Sequence, residues 1–129
     1  VTAGSFVFVL SDFLDPPSRE TWLTAVEHLW DVVPVVIQDP VWEQSFPDIT
    51  GIVVPLRDPH SGRITHVRLR RAEATARRRA NEERLLALLD ELSLLDLDPV
   101  LISSSEPSDV LGAFLDWNEF RRARRGVGA

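Results

Sequence analysis

The chain opens on an unbroken run of apolar β-formers, Ser5-Phe-Val-Phe-Val-Leu10, which stops at the polar pair Ser11-Asp12. Continuous apolarity over so short a length predicts a parallel strand buried on both faces. A break at Asp15-Pro-Pro-Ser18 follows. Trp22, Val26, Leu29 and Val33 then recur at i, i+4, i+7 and i+11, one stripe of a helix that Ser18 or Asp15 would cap. Val32 to Ile37 returns to a β-branched run, interrupted by Pro34 and ended by Gln38-Asp39-Pro40. The opening segment therefore reads strand, helix, strand, with acids at both strand exits.

The texture then changes. Gly51-Ile-Val-Val-Pro-Leu56 and Ile64-Thr-His-Val-Arg-Leu69 flank Asp58-Pro-His-Ser-Gly62, and a proline followed by glycine inside a polar stretch predicts a β-hairpin. Residues 71 to 94 predict the longest helix, charged around Ala72, Ala76 and Ala80 and core-forming at Leu85, Leu88, Leu89 and Leu92. Pro99-Val-Leu-Ile102 is a third strand, closed by Ser103 to Ser105. Glu106-Pro107 starts a last helix with Val110, Leu111, Phe114 and Leu115 inward, and Arg121-Arg-Ala-Arg-Arg125 leads to Gly126 as its stop. Strands alternating with helices imply a three-layer, Rossmann-like α/β fold around a parallel sheet, with the hairpin inserted. Ligands in such folds bind beyond the carboxyl ends of the strands. The exits Ser11 to Asp15, Gln38 to Glu43 and Ser103 to Glu106 are thus expected along one edge.

With 129 residues the chain has room for one domain or part of one, spanning residues 1–129, and not for a multidomain enzyme. A 44% hydrophobic share, 26% charged residues and a mean hydropathy of -0.03 are those of an ordinary globular protein. No apolar run approaches the roughly 20 residues that span a bilayer. Nothing at the start resembles a secretion signal, so a cytoplasmic location is expected. The opening at Val1 in place of Met leads us to expect an upstream segment. Cysteine is absent, which excludes disulfides, thiolate catalysis and cysteine-ligated zinc. The net charge of -6 is uneven: residues 1–56 hold eight acids against Arg19 alone, whereas the rest is nearly balanced. An acidic domain cannot release counterions from a phosphate backbone, so nucleic acid is not an expected partner. All fourteen basic residues are arginines, and a Schiff-base or P-loop lysine is impossible.

Candidate chemistry concentrates in Asp12, Asp15, Asp39 and Glu43 on two adjacent strand exits. Hard carboxylate oxygens there suit Mg²⁺ or Mn²⁺, with Asp12 the best metal candidate because it directly follows a buried strand. The competing reading is that these acids cap helices and complement their dipoles. His28, His60 and His66 lack a neighbouring Ser-Asp arrangement, so no nucleophilic triad is indicated. The arginine runs are accounted for locally: Glu73 with Arg77 and Arg78 with Glu82 lie at i,i+4, and the second run lies near a helix C-terminus. Trp42, in the polar loop Pro40 to Phe46, either serves a partner or tucks under its own loop.

In order and spacing, Gly4-Ser-Phe-Val-Phe-Val-Leu-Ser-Asp-Phe13, Val35-Val-Ile-Gln-Asp-Pro40 with Glu43 and Pro47, Leu56-Arg-Asp58 before Ser61-Gly62, and Leu111 to Leu115 resemble the C-terminal part of the bacterial domain-of-unknown-function family fifty-eight. The resemblance implies a von Willebrand factor A-like domain working beside a MoxR-type AAA+ ATPase. It also implies that Asp12 matches an acidic residue contributing to a metal-ion-dependent adhesion site. The Asp-x-Ser-x-Ser motif and separate threonine of that site do not occur here, so any Mg²⁺ would belong to a fuller domain. The expectation is a noncatalytic protein-interaction domain, a C-terminal half, with Asp12 as a partial metal ligand and Asp15, Asp39, Trp42 and Glu43 facing a partner. The alternative is a Mg²⁺-dependent phosphotransfer or hydrolytic enzyme using Asp12, Asp15 and Asp39. Self-association through the N-terminal strand and its flanking helices is also expected, because without the central strands that should flank Ser5 to Leu10 that strand has an unpaired edge.

Overall fold

The computed structural model describes residue 2 and residues 4–41, 51–58, 60–68 and 70–127. The chain divides into two compact units, Val1–Asp39 with Arg84–Ala129, and Pro40–Glu83. Elements follow in the order β1 (Phe6–Ser11), α1 (Arg19–Glu27), β2 (Asp31–Ile37), β3 (Val53–Arg57), β4 (Ile64–Arg68), α2 (Arg71–Leu94), β5 (Val100–Ile102) and α3 (Pro107–Val127). The protein is α/β: a parallel sheet of order β1-β2-β5 in the first unit and an antiparallel β3-β4 pair in the second.

The first unit is built around β2. Its even-numbered valines, Val32 and Val36, join Phe13, Trp22, Leu88, Leu92 and Leu97 in one core cluster. Its odd-numbered ones, Val33 and Val35, pack with Val100 against Ala113, Phe114 and Trp117 of α3 on the other face. Side chains alternate across a strand, so an apolar residue at every position is what a strand with helices on both faces requires.

Pro34 sits fully buried in this central strand, where a missing amide should break the ladder. The register resolves the difficulty. Val35 pairs with Val100 and Ile37 with Ile102, and Gln38 N–H donates to the Ile102 carbonyl at 2.8 Å. Stepping back along the same ladder, the amide of residue 34 would donate to the Asp98 carbonyl. That carbonyl instead accepts the indole N–H of Trp117 at 2.8 Å. A helix side chain supplies the donor that proline lacks, and the β2–β5 ladder begins one step later.

Both helix ends near this core use left-handed residues. Ser18 Oγ caps α1 by accepting from Thr21 N–H at 3.3 Å. The helix then ends at His28, and Leu29 takes φ 57°. This corrects the stripe that placed Leu29 and Val33 on one helix face: Leu29 is 72% exposed and Val33 is buried in β2. The i+11 match is fortuitous, because a central strand is apolar at every position. At the end of α2, Leu97 N–H reaches back to Leu92 O and Asp96 N–H to Ser93 O, with Asp96 at φ 57°. This is a Schellman closure whose buried Leu92 and Leu97 meet in the core.

Three further expectations need correction. β1 is not buried on both faces: Phe6, Phe8 and Leu10 are 56, 46 and 63% exposed, while Val9 packs on the core. It is an edge strand, and α3 reaches it through Phe114, edge-on to Phe8 at 6.0 Å. On α3, Leu111 and Leu115 are 60 and 53% exposed, and Ala113, Phe114 and Trp117 take the inward positions. Nor does α3 stop at Gly126, since it continues to Val127.

The arginine run closing α3 is fastened to the sheet. Arg121 Nη2 donates to both carboxylate oxygens of Asp31, at 2.7 and 2.9 Å, with its guanidinium 4.7 Å from the Trp117 ring centroid. Arg124 bonds Asp96 and Asp98. Asp31 begins β2 and Asp98 precedes β5, so these pairs tie the end of α3 to the amino edge of the sheet.

In the second unit, β3 and β4 pair from Val53↔Arg68 to Arg57↔Ile64, and Val54 and Val67 pack on Ala74 of α2. Arg77 pairs with Glu73 at 3.7 Å, as the spacing predicts, and Arg79 with Glu83 at 2.8 Å.

Two stability changes follow. Trp117→Phe keeps a ring on Val33 and Val35 but leaves the Asp98 carbonyl without its donor, and urea denaturation is expected to show a loss of about 1–3 kcal/mol. Leu29→Gly relieves a left-handed leucine with little packing to lose, and is expected to raise stability by about 1 kcal/mol in the same measurement.

Candidate functional site at the carboxyl edge of the sheet

Parallel pairing of Ser11 with Val36 and of Ile37 with Ile102 brings the three strand exits to a common edge. The first exit is a tight local structure. Ser11 Oγ accepts from Phe13 N–H at 3.0 Å, and Asp12 Oδ1 accepts from Leu14 N–H at 3.1 Å. Phe13 holds φ 49°, and its ring is buried at 6.0 Å from Trp22. A buried aromatic thus turns the backbone outward on either side of itself, and Asp12 and Asp15 are left exposed. Short polar side chains that accept from the backbone two residues on are well suited to such a turn.

At the second exit Gln38 is buried and Asp39 exposed. Trp42 and Glu43 lie outside the described residues. At the third, Ser104 Oγ accepts from Glu106 N–H at 3.1 Å, and α3 begins at Pro107. The serines therefore close the strand and lead into the helix, as the sequence suggests.

Asp12, Asp15 and Asp39 share an edge without composing a metal centre: among the described residues no three of His, Asp and Glu stand close enough to hold an ion. One oxygen of Asp12 is committed to its own turn. The described residues do not make up a complete divalent-cation site.

A feature the sequence reading missed lies beside β5, an open pocket of about 670 Å³ between that strand and α3. Ser103, Ser108, Gly112, Asp116 and Phe120 are among its lining residues. The signal was present as Ser108, Gly112 and Asp116 at four-residue spacing, a small and polar flank on a helix otherwise judged by its leucines.

The hairpin holds a second polar cluster. Asp58 accepts from the Ser61 hydroxyl at 2.6 Å and from His60 N–H at 2.9 Å. Gly62 closes the turn at φ 67°, with its N–H on the Asp58 carbonyl at 2.8 Å. The Ser61 hydroxyl, then the His60 amide, hold the Asp58 carboxyl below its ordinary range. The His60 ring joins them, with Nδ1 3.9 Å from Asp58 Oδ1, so His60 has an Asp and a Ser beside it, contrary to the expectation from sequence, and the contacts described form a turn.

The model of the family described as protein of unknown function DUF58 matches residues 2–85. That span takes in the words around Asp12, Asp39 and Asp58 but not Leu111 to Leu115. No curated protein matches the chain, and neither does any solved structure.

The depressed Asp58 value fixes a pH dependence. The turn's contribution is complete above the ordinary carboxylate range near pH 4 and is lost as pH falls through the lower folded value. An NMR titration is expected to show the His60 and Ser61 amide shifts moving together below that range, and Asp58→Ala to abolish the step.

Proposed function

Because the chain belongs to the DUF58 family, we propose that it is a noncatalytic protein-interaction domain of von Willebrand A type, acting in the cytoplasm with a MoxR-type AAA+ ATPase in the assembly or maturation of other proteins. The observation that carries this reading is the row of exposed acids, Asp12, Asp15 and Asp39, on the carboxyl edge of a parallel sheet. Rigid strands present these carboxylates, and Phe13 anchors the first exit, so a partner meets a preformed acidic surface. Preformed surfaces bind without the entropy cost of ordering a loop. In this reading Trp42 and Glu43 also bind the partner, and Mg²⁺ joins Asp12 in a fuller domain.

No helix among the described residues is long and apolar enough to cross a membrane. The acidic edge favours a basic face on the partner, since complementary charge steers encounter and fixes orientation.

Two measurements test the reading. Binding of the purified chain to a MoxR-type ATPase is expected to weaken about tenfold in the Asp12→Ala, Asp39→Ala double variant, as for loss of charged contacts at an interface. Equal binding by both proteins removes the edge as the docking surface. Calorimetric titration with Mg²⁺ is expected to show weak binding or none, since too few ligands offset dehydration of the ion. Tight stoichiometric binding lost in Asp12→Ala would favour a Mg²⁺-dependent phosphotransfer or hydrolytic enzyme instead.

A further inference from the structure

β5 lies on the side of β2 away from β1, so the central strands expected to flank Ser5 to Leu10 belong at the opposite edge of the sheet. Its ladder with β2 uses every second residue. Gln38 N–H donates to the Ile102 carbonyl, so the backbone groups of Val100 and Ile102 face β2, and alternation turns the N–H and C=O of Leu101 to the outer edge. Along that edge runs the open pocket of about 670 Å³, lined by every residue from Asp98 to Ser104. Its other wall is the small flank of α3, where a Cβ added at Gly112 would meet no neighbouring group within 4 Å. The result is a groove as long as a strand, with outward-facing backbone on one side and a low helix flank on the other.

The charge in the groove is of one sign. Asp109 and Asp116 are exposed on the α3 wall and have no ion-pair partner among the described residues, whereas Asp98 is taken by Arg124. None of the described lining residues is cationic. Because Val100 and Ile102 pack towards α3, Leu101 stands on the opposite face of the sheet, 44% exposed.

We propose that this groove binds an extended segment of a partner protein as an added strand, paired with the Leu101 backbone, its side chains alternating between cations towards Asp109 and Asp116 and apolar groups beside Leu101. In such a mode main-chain hydrogen bonds supply affinity, and alternate side chains supply selectivity. A small polar ligand would use neither the outward backbone nor the length of the groove. The inference rests on β5 and α3 and goes beyond the acidic row of the proposed function.

A decapeptide of alternating valine and arginine, titrated to about 1 mM into the ¹⁵N-labelled full chain, tests it by NMR. The Leu101 and Ser103 amides are expected to shift and to exchange more slowly with solvent. The dissociation constant is expected to rise about tenfold in the Asp109→Asn, Asp116→Asn double variant, and by a similar factor in Gly112→Phe, which fills the groove. Circular dichroism checks that these variants remain folded. The same peptide N-methylated at alternate residues keeps its charge but cannot pair, leaves the protein unaltered, and is expected to bind about tenfold more weakly. An unmoved Leu101 amide, equal binding of the N-methylated peptide, or shifts confined to the Asp12 and Asp39 exits overturns the proposal.

Discussion

The first unit depends on burying β2 on both faces. Val32 and Val36 face one set of helices, and Val33 and Val35 face the other. A strand so placed has nowhere to send an unsatisfied backbone group, yet Pro34 lies in its middle. The Trp117 indole resolves that conflict at the Asp98 carbonyl. One hydrogen bond thereby ties the start of β5 to the middle of α3, and the neighbouring Arg121 and Arg124 pairs extend the attachment to the helix end. Removing water from an unpaired carbonyl costs more than the net worth of an average hydrogen bond, which is why a bulky tryptophan is used.

The two edges of the sheet are consequently different in kind. At the amino edge, Asp31, Asp96 and Asp98 are neutralised by Arg121 and Arg124. At the carboxyl edge, Asp12, Asp15 and Asp39 are exposed, and the Asp12 turn is held by backbone amides and the buried Phe13 ring. Asp31 thus holds α3, while Asp12, Asp15 and Asp39 are exposed. Charges that meet solvent steer and select partners more than they stabilise the fold.

A similar division applies to apolar groups. Leu92 and Leu97 close α2 into the core, whereas Phe6, Phe8, Leu10, Leu111 and Leu115 remain at the surface. Exposed apolar side chains are ordinary at a surface, and on β1 Phe6 and Phe8 are met by Arg121 and Phe114 of α3.

The element order, the parallel α/β character and the hairpin are legible in the sequence, because hydrophobic period and turn chemistry are local properties, whereas the choice of Ser18 over Asp15 as the α1 cap is made by the structure. Legible too is that Asp12 and Asp39 follow adjacent strands and share an edge, since parallel connection dictates it. Which apolar residues are covered depends on tertiary packing. Phe8 and Val33 look alike in their runs, yet one is about half exposed on an edge strand and the other is buried beneath α3. Leu29 fits a helical stripe but ends as a left-handed cap, because pairing of β2 with β1 claims the residues that follow it. The arginines of α3 look like a solvated tail and become clamps, since Asp31 and Asp98 are distant in sequence and near only in the fold. Likewise, no local pattern shows that a tryptophan would supply the amide proton a proline lacks, for that depends on strand register and helix placement together.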